Sequence, residues 1–146
     1  MKETDLEFVE RLIHDFPEVR FVKNRRRFSY RWQNDVPTVF LGEPQPKYSL
    51  LTLHELGHAA SGHKDYQTTV ERLKIESEAW SAARKLFLKY QKTSILPADW
   101  SWDEDFAESK LDTYRNWLHT KTTCKTCGLT MYQTTDGIYH CPLCDN

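Results

Sequence analysis

Cysteine is absent from the first 123 residues, and all four cysteines lie in the last 23. This distribution argues against a disulfide framework and suits a reducing, cytoplasmic compartment. Long apolar runs are also absent, since no segment approaches the roughly 20 apolar residues that a membrane span needs. Residues 1–5 are acidic and lack the apolar core of a secretory signal. We therefore expect a cytoplasmic protein without a membrane partner.

Net charge is nearly absent as well. The chain has 20 Lys and Arg and 21 Asp and Glu, so its net charge is −1. No global electrostatic field therefore favours binding to nucleic acid or to an anionic membrane. The chain is instead rich in aromatic residues, at 13% with five Trp, and these provide apolar mass for a core. Its 146 residues predict one modest domain, or one domain with a small added module.

The motif with the clearest chemistry is HELGH at residues 54–58. It lies within residues 48–60, which contain no Pro and predict a helix. Residues i and i+4 share a helix face, so His54 and His58 can offer two imidazole nitrogens to one ion. Glu55 projects about 100° round the helix, where it can reach a water on that ion without ligating it. This pattern is typical of zinc peptidases with a Glu general base. The alternative is a chance His pair on an amphipathic helix.

A catalytic zinc also needs a third protein ligand and one open position. Residues 69–91 predict a helix in which Glu76 interrupts an apolar stripe made by Val70, Leu73, Ala79, Trp80, Ala83, Phe87 and Tyr90. A buried carboxylate is costly unless it has a partner, and a metal is a suitable one. Glu78 lies about 200° away, near Lys74 and Lys85, where an exposed ion pair is expected. The sequence therefore favours Glu76, which could otherwise pair with an Arg or only border the stripe.

His63 follows this motif, just after Gly62, which is expected to cap the helix. A three-His zinc pattern would need His at position 64, where the chain has Lys64. His63 is interpreted either as a cation favoured by the helix dipole or as a polar group at the rim of a cleft.

The remaining segments predict a small sheet and two further helices. We expect helices over residues 5–15 and 102–118, a hairpin over 19–32 that turns near Asn24, and a strand over 36–42. The basic residues of the hairpin form either a solvated, charged edge or a patch for phosphates or an acidic segment: Lys23, Arg25, Arg26, Arg27 and Arg31.

The tail carries two Cys-x-x-Cys pairs separated by 13 residues, with a turn at Asp136-Gly137 between them. This spacing predicts a zinc ribbon, in which four thiolates close a tetrahedral structural site: Cys124, Cys127, Cys141 and Cys144. So short a module cannot bury enough core to fold alone, and the metal supplies that stability. Few basic residues lie here, so nucleic-acid binding has little support.

Residues 36–97 resemble the ImmA/IrrE group of small zincins and the peptidase domain of ArdC-type antirestriction proteins. The resemblance rests on a strand, the HELGH helix, and ESEAW at 76–80 in a helix that ends near Leu96-Pro97. In these families the first Glu of Glu-x-x-Ala is the third zinc ligand, which implies Glu76 here. Trp80 departs from the pattern, which has Asn or Asp at that position. The tail resembles SprT-like proteins, which pair a zincin with a C-terminal zinc module but use a third His.

We therefore predict an α+β minimal zincin over residues 1–118, followed by a zinc ribbon over 119–146. Zinc would bind at a catalytic site and at a structural site.

The expected activity is that of a zinc metallopeptidase, and the substrate is a protein or peptide. In zincins an edge strand beside the metal-binding helix receives the substrate peptide, and here the strand at 36–42 precedes that helix. The resemblance implies one regulatory substrate, such as a repressor, in a bacterial or phage setting. The ribbon would hold a partner or substrate. The alternative is a non-catalytic module that contacts DNA or protein through the ribbon and the basic hairpin.

Overall fold

The computed structural model describes residues 3–93 and 95–145. Within them the chain is a mixed α+β structure, as predicted, with four helices and two small sheets. In chain order the elements are α1 Glu3–Asp15, β1 Arg20–Val22, β2 Ser29–Gln33, β3 Val36–Phe40, α2 Tyr48–Ala60, α3 Thr69–Lys92, α4 Glu104–Thr122, β4 Tyr132–Gln133 and β5 Tyr139–His140. None of the described helices is both long enough and apolar enough to cross a membrane.

The chain forms two compact units. The first comprises the described residues of Met1–Lys64 and Glu78–Trp102, and the second those of Asp65–Ser77 and Asp103–Asn146. Helix α3 therefore contributes residues to both units. Helix α4 continues to Thr122, beyond residue 119, where the sequence places the start of the ribbon.

The sheet of the first unit corrects the predicted hairpin over residues 19–32. β3 lies between β1 and β2, pairing parallel with β1 and antiparallel with β2. The hairpin is therefore β2–β3, joined by Asn34 and Asp35, whose φ angles of 52° and 60° are both positive. Two positive φ values are the mark of a type I′ turn, the two-residue connection that best matches strand twist. Asn24 also has a positive φ, of 61°, but it lies beyond the end of β1 and does not pair β1 with β2.

The predicted strand at 36–42 is confirmed as β3, but the idea that it receives a peptide at an open edge is wrong. β3 is the central strand, with neighbours on both sides, and Thr38 and Val39 are fully buried. Pro37 has no backbone N–H for the sheet. It is tolerated because β1 begins opposite Thr38, so no residue of β1 lies opposite Pro37.

The predicted helices are confirmed with shifts at their ends, and they supply the core of the first unit. Helix α1 buries Phe8, Val9 and Leu12, and α2 buries Leu53 and Leu56. The predicted stripe of α3 is buried from Glu76 onward, whereas Val70 is 61% exposed. Asp103 caps the start of α4, since its side chain accepts a hydrogen bond from the Phe106 N–H at 2.9 Å.

Helices α2 and α3 approach each other closely at Gly57. A Cβ atom built on Gly57 would lie 2.2 Å from the carbonyl oxygen of Ala79, which is closer than any real contact of this kind. Only glycine fits at this crossing, and its small size lets α3 pack directly against the helix that carries the His pair.

We predict that Gly57→Ala destabilises the protein, although alanine is the better helix former by about 1 kcal/mol. Overpacking of a well-packed site typically costs about 1–3 kcal/mol. Thermal unfolding followed by circular dichroism should show a lower midpoint, whereas Ser61→Ala at the exposed end of the same helix should change it little. An unchanged midpoint for Gly57→Ala would contradict the close helix crossing.

In the second unit, the first turns of α3 pack with α4 and the tail. The guanidinium of Arg72 lies 5.1–5.4 Å from the ring centres of Tyr66, Tyr114 and Trp117. Gln133 of β4 accepts hydrogen bonds from Thr69, whose hydroxyl also accepts one from the Tyr139 hydroxyl. These contacts explain why residues 65–77 cluster with the tail.

Candidate metal centres

Helix α2 brings together the three residues of the predicted catalytic motif. His54, Glu55 and His58 are all buried, with exposed fractions of 7%, 8% and 5%. Each can offer one ligand atom to a group in which all the atoms lie within 4.8 Å of one another. Glu55 Oε1 also lies 3.4 Å from His54 Nδ1. The motif therefore forms a compact, buried cluster of two imidazoles and one carboxylate.

An aromatic ring lies against each imidazole of this cluster. Tyr30 of β2 stacks on His58, with ring centres 5.4 Å apart and planes 10° apart. Trp80 of α3 stacks on His54, with ring centres 4.3 Å apart and the same angle. Stacking against Trp80 therefore supports the His54 ring.

The end of α2 turns the chain back over this cluster. Gly62 has φ 67°, its N–H donates to the Ala59 carbonyl at 3.1 Å, and the His63 N–H donates to the His58 carbonyl at 3.1 Å. These two bonds form a Schellman motif, which confirms the capping role predicted for Gly62.

His63 is consequently held against the cluster, and the sequence interpretation missed this contact. Its Nδ1 lies 3.0 Å from His58 Nδ1, and its Nε2 lies 2.8 Å from Glu78 Oε2. Gly62-His63, directly after the helix, is the sequence signal for this contact. A Schellman motif at Gly62 places His63 beside His58, five positions earlier. Glu78, expected as an exposed ion pair, is 45% exposed, and its Oε2 is the atom that contacts His63.

Glu76, the predicted third ligand, is buried on α3, with 8% of its surface exposed. It precedes Ala79 and Trp80 by three and four residues, so it shares their helix face. Glu76 belongs to the second compact unit, whereas His54, Glu55 and His58 belong to the first. Its role as a ligand therefore stays a prediction.

The four tail cysteines form the second group, with Cys124, Cys127, Cys141 and Cys144 offering sulfur atoms that all lie within 4.8 Å of one another. Between the two Cys pairs, β4 and β5 form the expected antiparallel hairpin.

Backbone hydrogen bonds shape the first Cys pair of the tail. The Gly128 N–H donates to the Cys124 carbonyl at 2.8 Å, which closes the turn around this pair. Backbone hydrogen bonds from Cys127 and Thr126 lower the pKa of the Cys124 thiol to about 6. A lowered pKa favours the thiolate, which is the form that binds metal.

The donor chemistry of both groups fits zinc. Four thiolates are the donor set of a closed structural zinc site, and two imidazoles with a carboxylate nearby suit a zinc site that keeps an open position. The burial of the α2 group adds to this fit, because buried imidazole and carboxylate groups need partners.

Comparisons with known proteins identify no relative of this chain. No protein-family model matches the chain, and no curated protein or solved structure is significantly similar to it.

Proposed function

We propose that the chain is a zinc-dependent metallopeptidase with a minimal zincin fold, which hydrolyses a peptide bond in a regulatory or partner protein. The observation that carries this proposal is the buried group of His54, Glu55 and His58 on one helix. When bound there, zinc supplies Lewis-acid polarisation of the scissile carbonyl and lowers the pKa of water.

Residues of the chain itself would bind the metal and transfer the proton. His54 and His58 would hold the metal, and Glu76 would complete its protein ligands from the α3 face that also carries Trp80. Glu55 would accept a proton from the attacking water and pass it to the leaving amine. The Cys group of the tail would hold a second, structural zinc.

The edge of β2 is the surface that best suits an extended substrate. In an antiparallel ladder, hydrogen-bonded and non-hydrogen-bonded pairs alternate. Pro37 has no N–H, so its pair with Trp32 belongs to the second type, as does the Tyr30–Val39 pair two residues along. Tyr30 and Trp32 therefore direct their backbone N–H and C=O groups away from β3.

Within the described residues β2 pairs only with β3, so this side of β2 is an open edge of the sheet. A peptide that adds to it would form main-chain hydrogen bonds with Tyr30 and Trp32. The Tyr30 ring stacks on His58, so such a peptide would run beside the His pair. In this proposal β2 has the peptide-receiving role that was predicted for residues 36–42.

Incubation with candidate host proteins tests the activity. Mass spectrometry should detect a cleavage by the native chain that the Glu55→Gln chain does not make. If no cleavage depends on Glu55, the peptidase proposal fails.

The choice of Glu76 makes a separate prediction about metal affinity. Glu76→Gln removes a charged ligand, so zinc affinity at the α2 group should fall by more than the roughly 10–100-fold typical of a residue that only contacts a ligand. Competition with a chelator measures this affinity. Glu71→Gln on the same helix is the control, since Glu71 bonds backbone N–H groups of Gln67 and Thr68. An unchanged affinity for Glu76→Gln would remove it from the ligand set.

One observation favours the alternative of a non-catalytic binding module. Arg25, Arg27 and Arg31, with Ser29 and Phe40, line a cavity of about 350 Å³ on the first unit. No carboxylate lines it, so it suits an anionic group of a nucleic acid or protein. In that case substitution of these arginines, or of the tail cysteines, would abolish function, whereas Glu55→Gln would not.

A further inference from the structure

We infer that Glu78 and His63 are a positioning pair that fixes His58 with its proton on Nδ1, so that Nε2 is the atom presented to the metal. The inference rests on the metal site of the proposed function. It starts from two contacts in series, from His58 Nδ1 to His63 Nδ1 at 3.0 Å and from His63 Nε2 to Glu78 Oε2 at 2.8 Å.

The carboxylate sets the direction of both hydrogen bonds. An ionised Glu78 can only accept, so His63 must carry a proton on Nε2. A neutral imidazole has one donor nitrogen and one acceptor nitrogen, so His63 Nδ1 is then the acceptor. The proton in the remaining bond must come from His58 Nδ1. This leaves the lone pair of His58 on Nε2, the only nitrogen of that ring free of a proton.

The fold holds His63, the middle residue of the series His58–His63–Glu78, in place. The Schellman motif at Gly62 fixes the backbone of His63, and the Tyr30 hydroxyl donates to the His63 carbonyl at 2.6 Å. The His63 side chain is only 9% exposed, whereas the Glu78 side chain is 45% exposed and faces water in part. The His63 ring is therefore fixed by packing, and Glu78 acts as the charged end of the series.

A hydrogen bond of this kind orients a metal-binding imidazole and raises its basicity, and loss of the partner typically costs about 10–100-fold in metal affinity. His63 is the direct partner of His58, and Glu78 acts only through His63. We therefore expect a larger loss from changing His63 than from changing Glu78. The sequence alone predicts little effect from Glu78, because it places that residue among lysines.

Three variants of the whole 146-residue chain separate positioning from packing. His63→Phe keeps a ring but has no acceptor, His63→Gln keeps an acceptor oxygen, and Glu78→Ala removes only the charged end. Zinc affinity at the α2 group is measured by chelator competition, and the His58 tautomer by nitrogen chemical shifts of the imidazole rings. Zinc at the four cysteines serves as the internal control, since none of these changes touches it.

We expect His63→Phe to lower zinc affinity about 10–100-fold, Glu78→Ala to lower it less, and His63→Gln to restore most of it. The native, zinc-loaded chain should show His58 protonated at Nδ1. Native affinity in a folded His63→Phe chain, or a His58 that is protonated at Nε2, would overturn the inference. So would a loss in His63→Gln equal to that in His63→Phe, because His63 would then be a ligand itself. These readouts need no substrate, so failure to find a cleavage would count against the peptidase proposal alone.

Discussion

Glu55→Gln is expected to lower the rate of peptide hydrolysis by about 10²–10⁴-fold, the typical contribution of a positioned general base. Glutamine keeps the size of the side chain and its reach for hydrogen bonds but does not accept a proton from water. Because Glu55 is 8% exposed on a helix that the change does not interrupt, the fold should be retained.

The same variant should keep both zinc ions and a nearly unchanged thermal midpoint. In the proposed site the protein bonds to zinc come from His54, His58 and Glu76, so Glu55→Gln removes none of them. Elemental analysis and circular dichroism check these two points alongside the rate. A clear loss of zinc in this variant would show that Glu55 is a ligand rather than the base.

A cellular assay in parallel separates the enzyme from the binding module. If a folded Glu55→Gln chain retains full function, the peptidase proposal is wrong and the binding module is favoured. If function is lost with Glu55→Gln but kept when Arg25, Arg26 and Arg27 are changed together, the binding module is wrong.

The helices and the His pair could be predicted because their signals are local. Helical periodicity of apolar residues defines α3, and the spacing of His54 and His58 places both on one helix face. The Cys pairs are equally local, since each Cys-x-x-Cys turn carries its own spacing. In each case the residues that define the feature lie within a few turns of one another.

The order of the strands could not be predicted from the same kind of signal. Asn24 and the Asn34-Asp35 pair are both turn signals, and both take positive φ. Which strands become neighbours depends on pairing between β1 and β3, which are separated by the whole of β2. Alternating apolar residues specify that a segment is a strand but not its partner.

The contact between His63 and Glu78 was missed for a related reason. On α3, Glu78 has lysines nearby in sequence, and local spacing favours an ion pair with them. The Schellman motif at Gly62 lies outside α3, and it positions His63 at 2.8 Å from Glu78. A tertiary contact of this kind leaves no periodic mark in the sequence.

Cys141→Ser is expected to remove the zinc of the tail and to unfold the hairpin that surrounds it. Each strand of this hairpin has two residues, and four large apolar side chains of the tail are exposed: Leu129, Tyr132, Ile138 and Leu143. With so little apolar surface buried, the metal must supply the folding free energy. Structural zinc sites of this size supply about 10–16 kcal/mol of apparent binding free energy at pH 7.

Cys141 is the best position for this test. It is 3% exposed, and its sulfur accepts a hydrogen bond from the Cys144 N–H at 3.3 Å, so it anchors the second Cys pair. Serine is similar in size but is a poor zinc ligand. Thr126→Ser, between the cysteines of the first pair, is the control because it changes no sulfur.

Elemental analysis should give two zinc ions per native chain and one per Cys141→Ser chain. Hydrogen exchange should show lost amide protection at residues 124–144 in that variant, while the amides of α2 stay protected. Two zinc ions in the variant would mean that Cys141 is not a ligand. Loss of both ions would mean that the metal at His54 and His58 depends on the ribbon, and the two sites could then no longer be treated as independent.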